Sequence, residues 1–119
     1  MPWYAAHIVM RIRYREGSEQ PLYVQENIVL LEASTPEDAR ERAVVRGRVD
    51  GTQGDQSLTC DGRSAFWEFA GVRLVTSCED GDGRLASGTE VSYIEYRVEA
   101  ETDLRRLLRG EDVRVEFGG

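Results

Sequence analysis

The feature that most constrains the fold is a two-residue alternation through residues 3–14. One set of alternate positions is apolar or aromatic throughout, whereas the other set ends in two arginines. The first set consists of Tyr4, Ala6, Ile8, Met10, Ile12 and Tyr14. Side chains of a β-strand point alternately to the two faces of its sheet, so this pattern predicts a long strand with the first set in the core. A lone strand leaves its backbone groups unpaired, and the chain must therefore build a sheet around it.

A second long strand is predicted over residues 22–33. Its centre, residues 28–31, reads Ile-Val-Leu-Leu, and an uninterrupted apolar run is typical of a strand that is covered on both faces. The polar residues 15–20 between the two strands contain one glycine and suit a hairpin loop. We therefore expect the two strands to be joined as a hairpin.

The clearest local signal marks the start of a helix after the second strand. Residues 34–38 read Ser-Thr-Pro-Glu-Asp, which combines a hydroxyl cap, a proline at the first helical position and early acids. These residues suit the unpaired amides and the positive dipole end of a helix N-terminus. We expect a main helix over about 36–46, with Ala39 and Ala43 close to the sheet and Gly47 as its stop.

The middle of the chain is predicted to contain a tight turn between two strands. Asp61-Gly62 favours such a turn, with a short strand at 58–60 before it and a longer strand at 65–77 after it. Gly71, inside the longer strand, suits a bulge or a close backbone contact. The segments 48–57 and 78–84 have the composition of loops.

The last third of the chain is predicted to hold two strands and a short helix. Apolar and charged residues alternate toward the end of residues 89–100, which predicts a strand with one face in water. Thr102 is expected to cap a short helix over about 103–109, with its leucines on one side. Residues 113–117 are expected to form the final strand.

These elements place the chain in the α+β class. Strands joined by hairpin-sized connections, with only two helices, argue for a mainly antiparallel sheet of about five to six strands rather than repeated parallel crossovers. The chain has 119 residues, enough for one core and too few for two. Residues 1–119 are therefore expected to form a single α+β domain.

Charge and composition narrow the partners and the compartment. The chain carries 22 acidic and 15 basic residues, and its net charge of −7 disfavours nucleic acid and anionic membranes as partners. All the basic residues are arginine, which we interpret as the codon preference of a GC-rich bacterial genome. No signal peptide or membrane-spanning run is visible, so we expect a cytoplasmic protein in which Cys60 and Cys78 are free thiols.

His7 is the only histidine and the first candidate for acid–base chemistry. In the middle of a strand it suits a buried structural role, or the role of a general base with Glu68 or Glu90 within hydrogen-bonding reach. No Gly-x-Ser-x-Gly sequence or comparable nucleophile context accompanies it, and no ligand spacing joins it to the cysteines. The sequence therefore predicts no metal and no cofactor.

Aromatic side chains on the predicted strands form the other candidate site. They come from three strands, and most of them are expected to pack in the core. An exposed subset would suit a ligand, another protein or a second copy of the chain. The candidate partner surface consists of Trp3, Trp67 and Tyr93.

Several stretches, read in order, resemble one small bacterial family. They are Trp3-Tyr4-x-Ala6, residues 28–33 running into 35–39, Asp61-Gly62 before residues 67–72, and residues 88–91. Over about residues 3–99 the chain resembles the family known as domain of unknown function 4288. The resemblance draws attention to Trp3, Trp67, Gly71 and Glu90, and it implies no activity, cofactor or catalytic residue.

The aromatic content and the lack of catalytic spacing together favour an interaction module without catalytic activity. Such a module would form a homodimer, or bind another protein or a small ligand, through its sheet face or an open sheet edge. The alternative is a small enzyme that uses His7 and a glutamate in a pocket. The two hypotheses differ in whether these groups converge at a concave site.

Overall fold

The core of the protein is a four-stranded antiparallel sheet, seen in a computed structural model that describes residues 1–52, 58–78 and 84–118. The first strand, β1 (Trp3–Tyr14), lies between β2 (Val24–Glu32) and β4 (Arg63–Ser77). The short β3 (Leu58–Cys60) pairs with the start of β4, which gives the order β2-β1-β4-β3. All these pairings are antiparallel, as the α+β prediction required.

The alternation in β1 is confirmed, because every member of its apolar set is buried. These side chains lie on the sheet face that carries the first helix, together with Phe69, Val72 and Val75 of β4. The opposite face is also covered near the start of β1, where Ala5 and His7 have no exposed surface. The middle strand of the sheet is therefore covered on both faces.

The second strand forms as predicted, but the prediction that it is covered on both faces was wrong. Ile28 and Leu30 are 45% and 40% exposed. Because β2 is an edge strand and the helix covers only one of its faces, the even-numbered apolar side chains remain in water. An uninterrupted apolar run thus marks an exposed edge here.

The main helix, α1 (Pro36–Thr52), begins where the sequence predicts. The Asp38 amide donates to Thr35 Oγ1 at 3.0 Å, and the Asp38 carboxylate accepts from the Ser34 amide at 3.1 Å. The first bond satisfies an amide that the helix itself leaves unpaired, and the second holds the residue before the cap against the first turn. The pKa of Asp38 is lowered chiefly by the bond from the Ser34 amide, with Arg42 acting in the same direction.

The predicted end of α1 at Gly47 was wrong, since the helix continues to Thr52. Gly47 is buried, and a Cβ there would lie 2.4 Å from the ring of Phe69. The glycine therefore allows the helix to pack closely against the sheet. Ala39 and Ala43 precede it on the same side of the helix and have no exposed surface. The loop predicted over 48–57 was therefore wrong for residues 48–52, which are helical. Residues 53–57 lie outside the described residues.

Two register shifts interrupt the pairing of β4 with β1. His7 is opposite Leu74 while Ile8 is opposite Val72, which leaves Arg73 as an extra residue. A second shift leaves Ala70 unpaired next to Gly71, as the expected bulge at this glycine required. The predicted turn at Asp61-Gly62 is also confirmed, with positive φ angles of 52° and 73°.

The C-terminal part forms a separate two-stranded ribbon and a short helix. The ribbon consists of β5 (Tyr96–Arg97) and β6 (Glu116–Phe117), with α2 (Glu101–Leu108) between them. The strand predicted over 89–100 was largely wrong, because only Tyr96–Arg97 pair as a strand. Residues 91–95 instead follow an irregular path, and Ser92 bonds to His7 of the main sheet.

The short helix α2 differs from its prediction mainly at its start. Its N-cap is Ala100, without a side-chain cap bond, so the expected cap at Thr102 was wrong. None of its residues is buried, and Leu104 and Leu108 are exposed. Most of the loop predicted over 78–84 lies outside the described residues. In the described ranges, no helix is both long enough and apolar enough to cross a membrane.

Candidate functional site

A polar network around His7 lies on the sheet face opposite α1. His7 is fully buried, and its Nδ1 atom is 2.6 Å from Oε2 of Glu26 on β2. Its Nε2 atom forms a hydrogen bond with Oγ of Ser92, which lies in the irregular segment over the sheet. One imidazole thus connects two parts of the chain that are 66 positions apart (92 − 26).

Arg73 completes the network from the other side of β1. Its Nε atom donates to both carboxylate oxygens of Glu26, at 2.9 and 3.0 Å, and Nη2 donates to Oε2 at 2.7 Å. Arg73 is the extra residue of the bulge opposite His7, and its side chain reaches Glu26 two strands away. Side chains from β1, β2 and β4 therefore meet at one carboxylate.

The charges of the network follow from these contacts. The hydrogen bonds from Arg73 are the main cause that holds the pKa of Glu26 below its ordinary value, while burial acts in the opposite direction and His7 reinforces the lowering. Glu26 is therefore a carboxylate at neutral pH and can only accept hydrogen bonds. Two cationic or proton-donating partners fix it in position.

The ionised carboxylate also fixes the proton on Nδ1 of His7. Because Glu26 can only accept, Nδ1 carries a proton and donates it. In the neutral imidazole, Nε2 then has a free lone pair, so the Ser92 hydroxyl donates to it. The arrangement places a serine hydroxyl against a base whose orientation is set by a carboxylate.

A small cavity opens beside this network, where the C-terminal ribbon approaches the sheet. It has a volume of about 360 Å³. Its lining consists of Arg73, Leu74, Tyr93, Ile94, Glu95 and Gly118. The guanidinium of Arg73 lies 5.4 Å from the ring centre of Phe117, so the same arginine contacts the ribbon and the network. Ser92 does not line the cavity itself, but Tyr93, the next residue in the chain, does.

The structure does not bring Glu68 or Glu90 to His7. Glu68 is opposite Arg11, four positions beyond His7 along β1, which corresponds to about 13 Å at about 3.3 Å per residue. Its carboxylate accepts from Arg13 Nε at 3.1 Å. Glu90 is exposed on the segment that leads to Ser92. Of the three residues in the enzyme hypothesis, only His7 belongs to the network.

Glu26 and Ser92 could not be found from local sequence patterns. Glu26 sits diagonally across from His7 because β1 and β2 pair with Val9 opposite Glu26. The conformation of the hairpin loop helps to set that register, and it cannot be predicted from the length of the loop alone. Ser92 lies in a segment for which the alternation predicted a strand, and its contact with His7 spans most of the chain.

The candidate partner surface of Trp3, Trp67 and Tyr93 is divided by the fold. Trp67 is opposite Ile12 and packs against the core on the helix side of the sheet. Trp3 occupies a position of β1 that faces the other side, and Tyr93, which is 50% exposed, borders the cavity. These three side chains do not form one continuous surface.

The two cysteines are free thiols, as predicted, and lie at opposite ends of β1. Cys60 Sγ is 3.7 Å from the hydroxyl of Tyr14, whereas the Cys78 amide donates to the carbonyl of Trp3. Within residues 1–52, 58–78 and 84–118, no group of three or more His, Cys, Asp and Glu side chains is placed to hold a metal ion.

Fold and network together define a small α+β protein with one helix on an antiparallel sheet and a buried Glu-His-Ser arrangement on the other face. The chain belongs to the family described as "Domain of unknown function (DUF4288)", whose model matches residues 3–93. The match contains the main sheet, α1 and Ser92, and it ends before β5. No curated protein and no solved structure matches the chain.

Proposed function

We propose that this protein is an interaction module that self-associates, with β2 of one copy pairing with β2 of a second copy. The observation that carries the proposal is the outer edge of β2, which has no strand partner among the described residues. The pairing of β2 with β1 is regular over nine residue pairs and contains no bulge. A long, regular edge of this kind offers a row of free backbone donors and acceptors.

The backbone bonds identify which residues present those groups. The Ile12 amide donates to the carbonyl of Tyr23, and the Ala33 amide donates to the carbonyl of Pro2. In an antiparallel pair, alternate residues of one strand point their amide and carbonyl toward the partner. The backbone amides and carbonyls of the odd-numbered residues of β2 therefore bond to β1. Those of the even-numbered residues 24–32 point away from β1, toward the open edge.

The side chains of these outward residues add an apolar patch beside the open edge. Val24 is 58% exposed, and Ile28 and Leu30 project from the same sheet face. Single exposed apolar residues are ordinary, but several beside an unpaired edge favour strand addition. Burial of these side chains on association would supply a hydrophobic contribution in addition to the backbone bonds.

The opposite edge of the sheet is protected. Beyond β3, the outer side of β4 contains the bulges at Ala70 and Arg73, and Arg40 Nη1 donates to the carbonyl of Val72 at 3.0 Å. Bulges and occupied carbonyls hinder pairing with another strand. The contrast between the two edges favours β2 as the surface for association.

A second copy fits this edge by symmetry. When two β2 strands run antiparallel about Ile28, Glu26 is opposite Leu30 and Val24 is opposite Glu32. Each outward residue then meets another outward residue, and no two carboxylates are directly opposite. A twofold arrangement uses the same surface on both copies and closes at a dimer.

The test is the mass in solution of matched variants. We expect the wild type to sediment at twice the chain mass, and Ile28→Lys to sediment as a monomer, because a lysine on the edge opposes strand pairing. Ile28→Pro should have the same effect, since it removes an outward amide without a bond to β1. Val45→Lys, at a 62% exposed position of α1, is the matched control and should remain dimeric.

Two outcomes would contradict the proposal. One is a wild type that stays monomeric up to its solubility limit. The other is an Ile28→Lys variant that is folded, by circular dichroism, and still dimeric.

A further inference from the structure

We propose that Ser92 is an activated nucleophile that takes an acyl group from small esters or thioesters, with His7 as its base and Glu26 as the residue that orients the base. Ser92 Oγ forms a hydrogen bond with Nε2 of His7, and Glu26 Oε2 lies 2.6 Å from Nδ1 on the other side of the ring. Enzymes of unrelated folds use the same arrangement for acyl transfer: a nucleophile hydrogen-bonded to a base, which is itself hydrogen-bonded to an orienting carboxylate.

Burial supports this assignment of roles. His7 has no exposed surface, whereas Ser92 is partly exposed. Of these two residues, only Ser92 presents surface to the outside of the molecule. Glu26 from β2 and Arg73 from β4 are the charged groups joined to this network, and the carboxylate is already in place to stabilise the imidazolium that forms when His7 accepts a proton.

The reaction balances with water as the only co-reactant. The Ser92 oxygen forms a bond to the acyl carbonyl carbon as its proton moves to Nε2 of His7. The bond to the leaving alcohol or thiol then breaks, and the leaving group takes that proton from Nε2. Water, deprotonated by His7, attacks the acyl-serine, releases a carboxylic acid and restores the Ser92 hydroxyl.

The neighbouring cavity indicates the size of the substrate. With about 360 Å³ it is at the small end of ligand pockets, and its lining combines the apolar side chains of Leu74, Tyr93 and Ile94 with the charged Arg73 and Glu95. Short acyl chains fit this space. The class of substrate is therefore an activated ester or thioester with a short acyl group.

A fluorophosphonate probe, which phosphonylates activated serines, tests the inference on the full chain. Intact mass and peptide mapping should show one adduct, on Ser92. Ser92→Ala should abolish the adduct, and Glu26→Gln should slow labelling by about 100-fold, within the usual range for loss of acid–base assistance. Ser87→Ala removes an exposed serine of the same segment and should label like the wild type.

A pH profile separates activation from simple exposure. The labelling rate of Ser92 should depend on pH, because general-base assistance requires an unprotonated base. The labelling rate should be the same in dilute and in concentrated wild-type protein, so the result is independent of self-association. If folded wild-type protein labels Ser92 no faster than Ser87, or at a rate that does not change with pH, the His7 bond is structural only and the inference is wrong.

Discussion

Arg73 shows how much of this fold depends on one side chain. It is unpaired in the β4 ladder, yet its guanidinium binds Glu26 of β2 and lies against Phe117 of β6. A regular strand without the bulge would lack this residue between Leu74 and Val72. The bulge therefore places a cation where the sheet face would otherwise hold a buried histidine and a single carboxylate.

The carboxylate in this network should make stability depend on pH. The pKa of Glu26 is lowered in the folded protein, chiefly by Arg73, so ionised Glu26 stabilises the fold above its ordinary value of 4.5. This contribution is lost as the pH falls through the lowered value. We expect Glu26→Gln to cost about 1 kcal/mol or more near neutral pH, and the difference from the wild type to shrink below about pH 4.

Urea unfolding at a series of pH values measures this difference. Glu32→Gln, at an exposed position of the same strand, is the control and should change stability by less than about 0.5 kcal/mol. A constant difference between wild type and Glu26→Gln from neutral to acid pH would contradict the role assigned to the Arg73 pair.

Among the elements, α1 depends on small residues at its contact with the sheet. Ala39, Ala43, Gly47 and Gly51 recur every four residues, and so lie along one side of the helix. A Cβ at Gly51 would come within 3.2 Å of the Phe69 amide nitrogen, and one at Gly47 would overlap the Phe69 ring. The helix can approach the sheet this closely because no side chain on this side of it is larger than a methyl group.

Gly47→Ala should therefore destabilise the protein by about 1–3 kcal/mol, the usual cost of overpacking. In an exposed helix the same change stabilises by about 1 kcal/mol, so the sign of the effect is diagnostic. Chemical unfolding measures it, and Phe69→Leu combined with Gly47→Ala should recover part of the loss. Val45→Ala, on the exposed side of α1, is the control. A Gly47→Ala variant as stable as the wild type would show that the helix can move away without cost.

The start of α1 makes a second prediction at the scale of elements. Thr35→Ala removes the acceptor of the Asp38 amide and should cost about 1 kcal/mol of unfolding free energy. Thr35→Ser keeps the hydroxyl and should remain close to wild type. Equal stabilities of the alanine and serine variants in urea unfolding would mean that this cap bond makes no net contribution.

In the molecule as a whole, the C-terminal part adds length without adding core. The radius of gyration is 17.2 Å, whereas a compact chain of this length has about 13.5 Å. The buried residues of the core clusters lie in β1, β4 and α1, apart from Ala33, which directly follows β2. In the described residues, β5, α2 and β6 contribute no buried side chain.

Hydrogen exchange should reveal this division. Amides of α2 are expected to exchange far faster than those of α1, because none of the α2 side chains is buried whereas Ala39 and Ala43 of α1 are. Exchange followed by mass spectrometry of peptides distinguishes the two helices, with β1 as the internal reference for a protected element. Equal protection of the two helices in dilute protein would contradict the division.

Which features the sequence predicts depends on whether their cause is local. The core face of β1 and the cap at Thr35 follow from neighbouring residues alone, and both are confirmed. The role of Gly47 depends on Phe69, which lies 22 positions later (69 − 47) and comes close only in the folded sheet. A glycine that ends a helix and a glycine that meets a sheet look alike in the sequence.

The candidate site was predicted only in part for the same reason. His7 is the only histidine in the sequence and could be chosen by residue type alone. Its partners could not, because Glu26 is placed by the strand register and Ser92 lies 85 positions away in the chain. One signal was available for the bulges: Phe69, Val72 and Val75 are apolar at intervals of three, where a regular strand has intervals of two. Those intervals indicate one unpaired residue in each gap, as the pairing shows.

The two bulges also determine how β4 can gain or lose residues over evolution. Strands rarely tolerate deletions, because removing one residue turns all following side chains to the opposite face. Deletion of Ala70 is different, since it removes a residue without a partner and leaves the pairs on both sides facing as before. Deletion of Arg73 would likewise preserve the faces, but at the expense of the Glu26 contact. The middle of β4 is thus a place where length can vary inside a strand, as it ordinarily does only in loops.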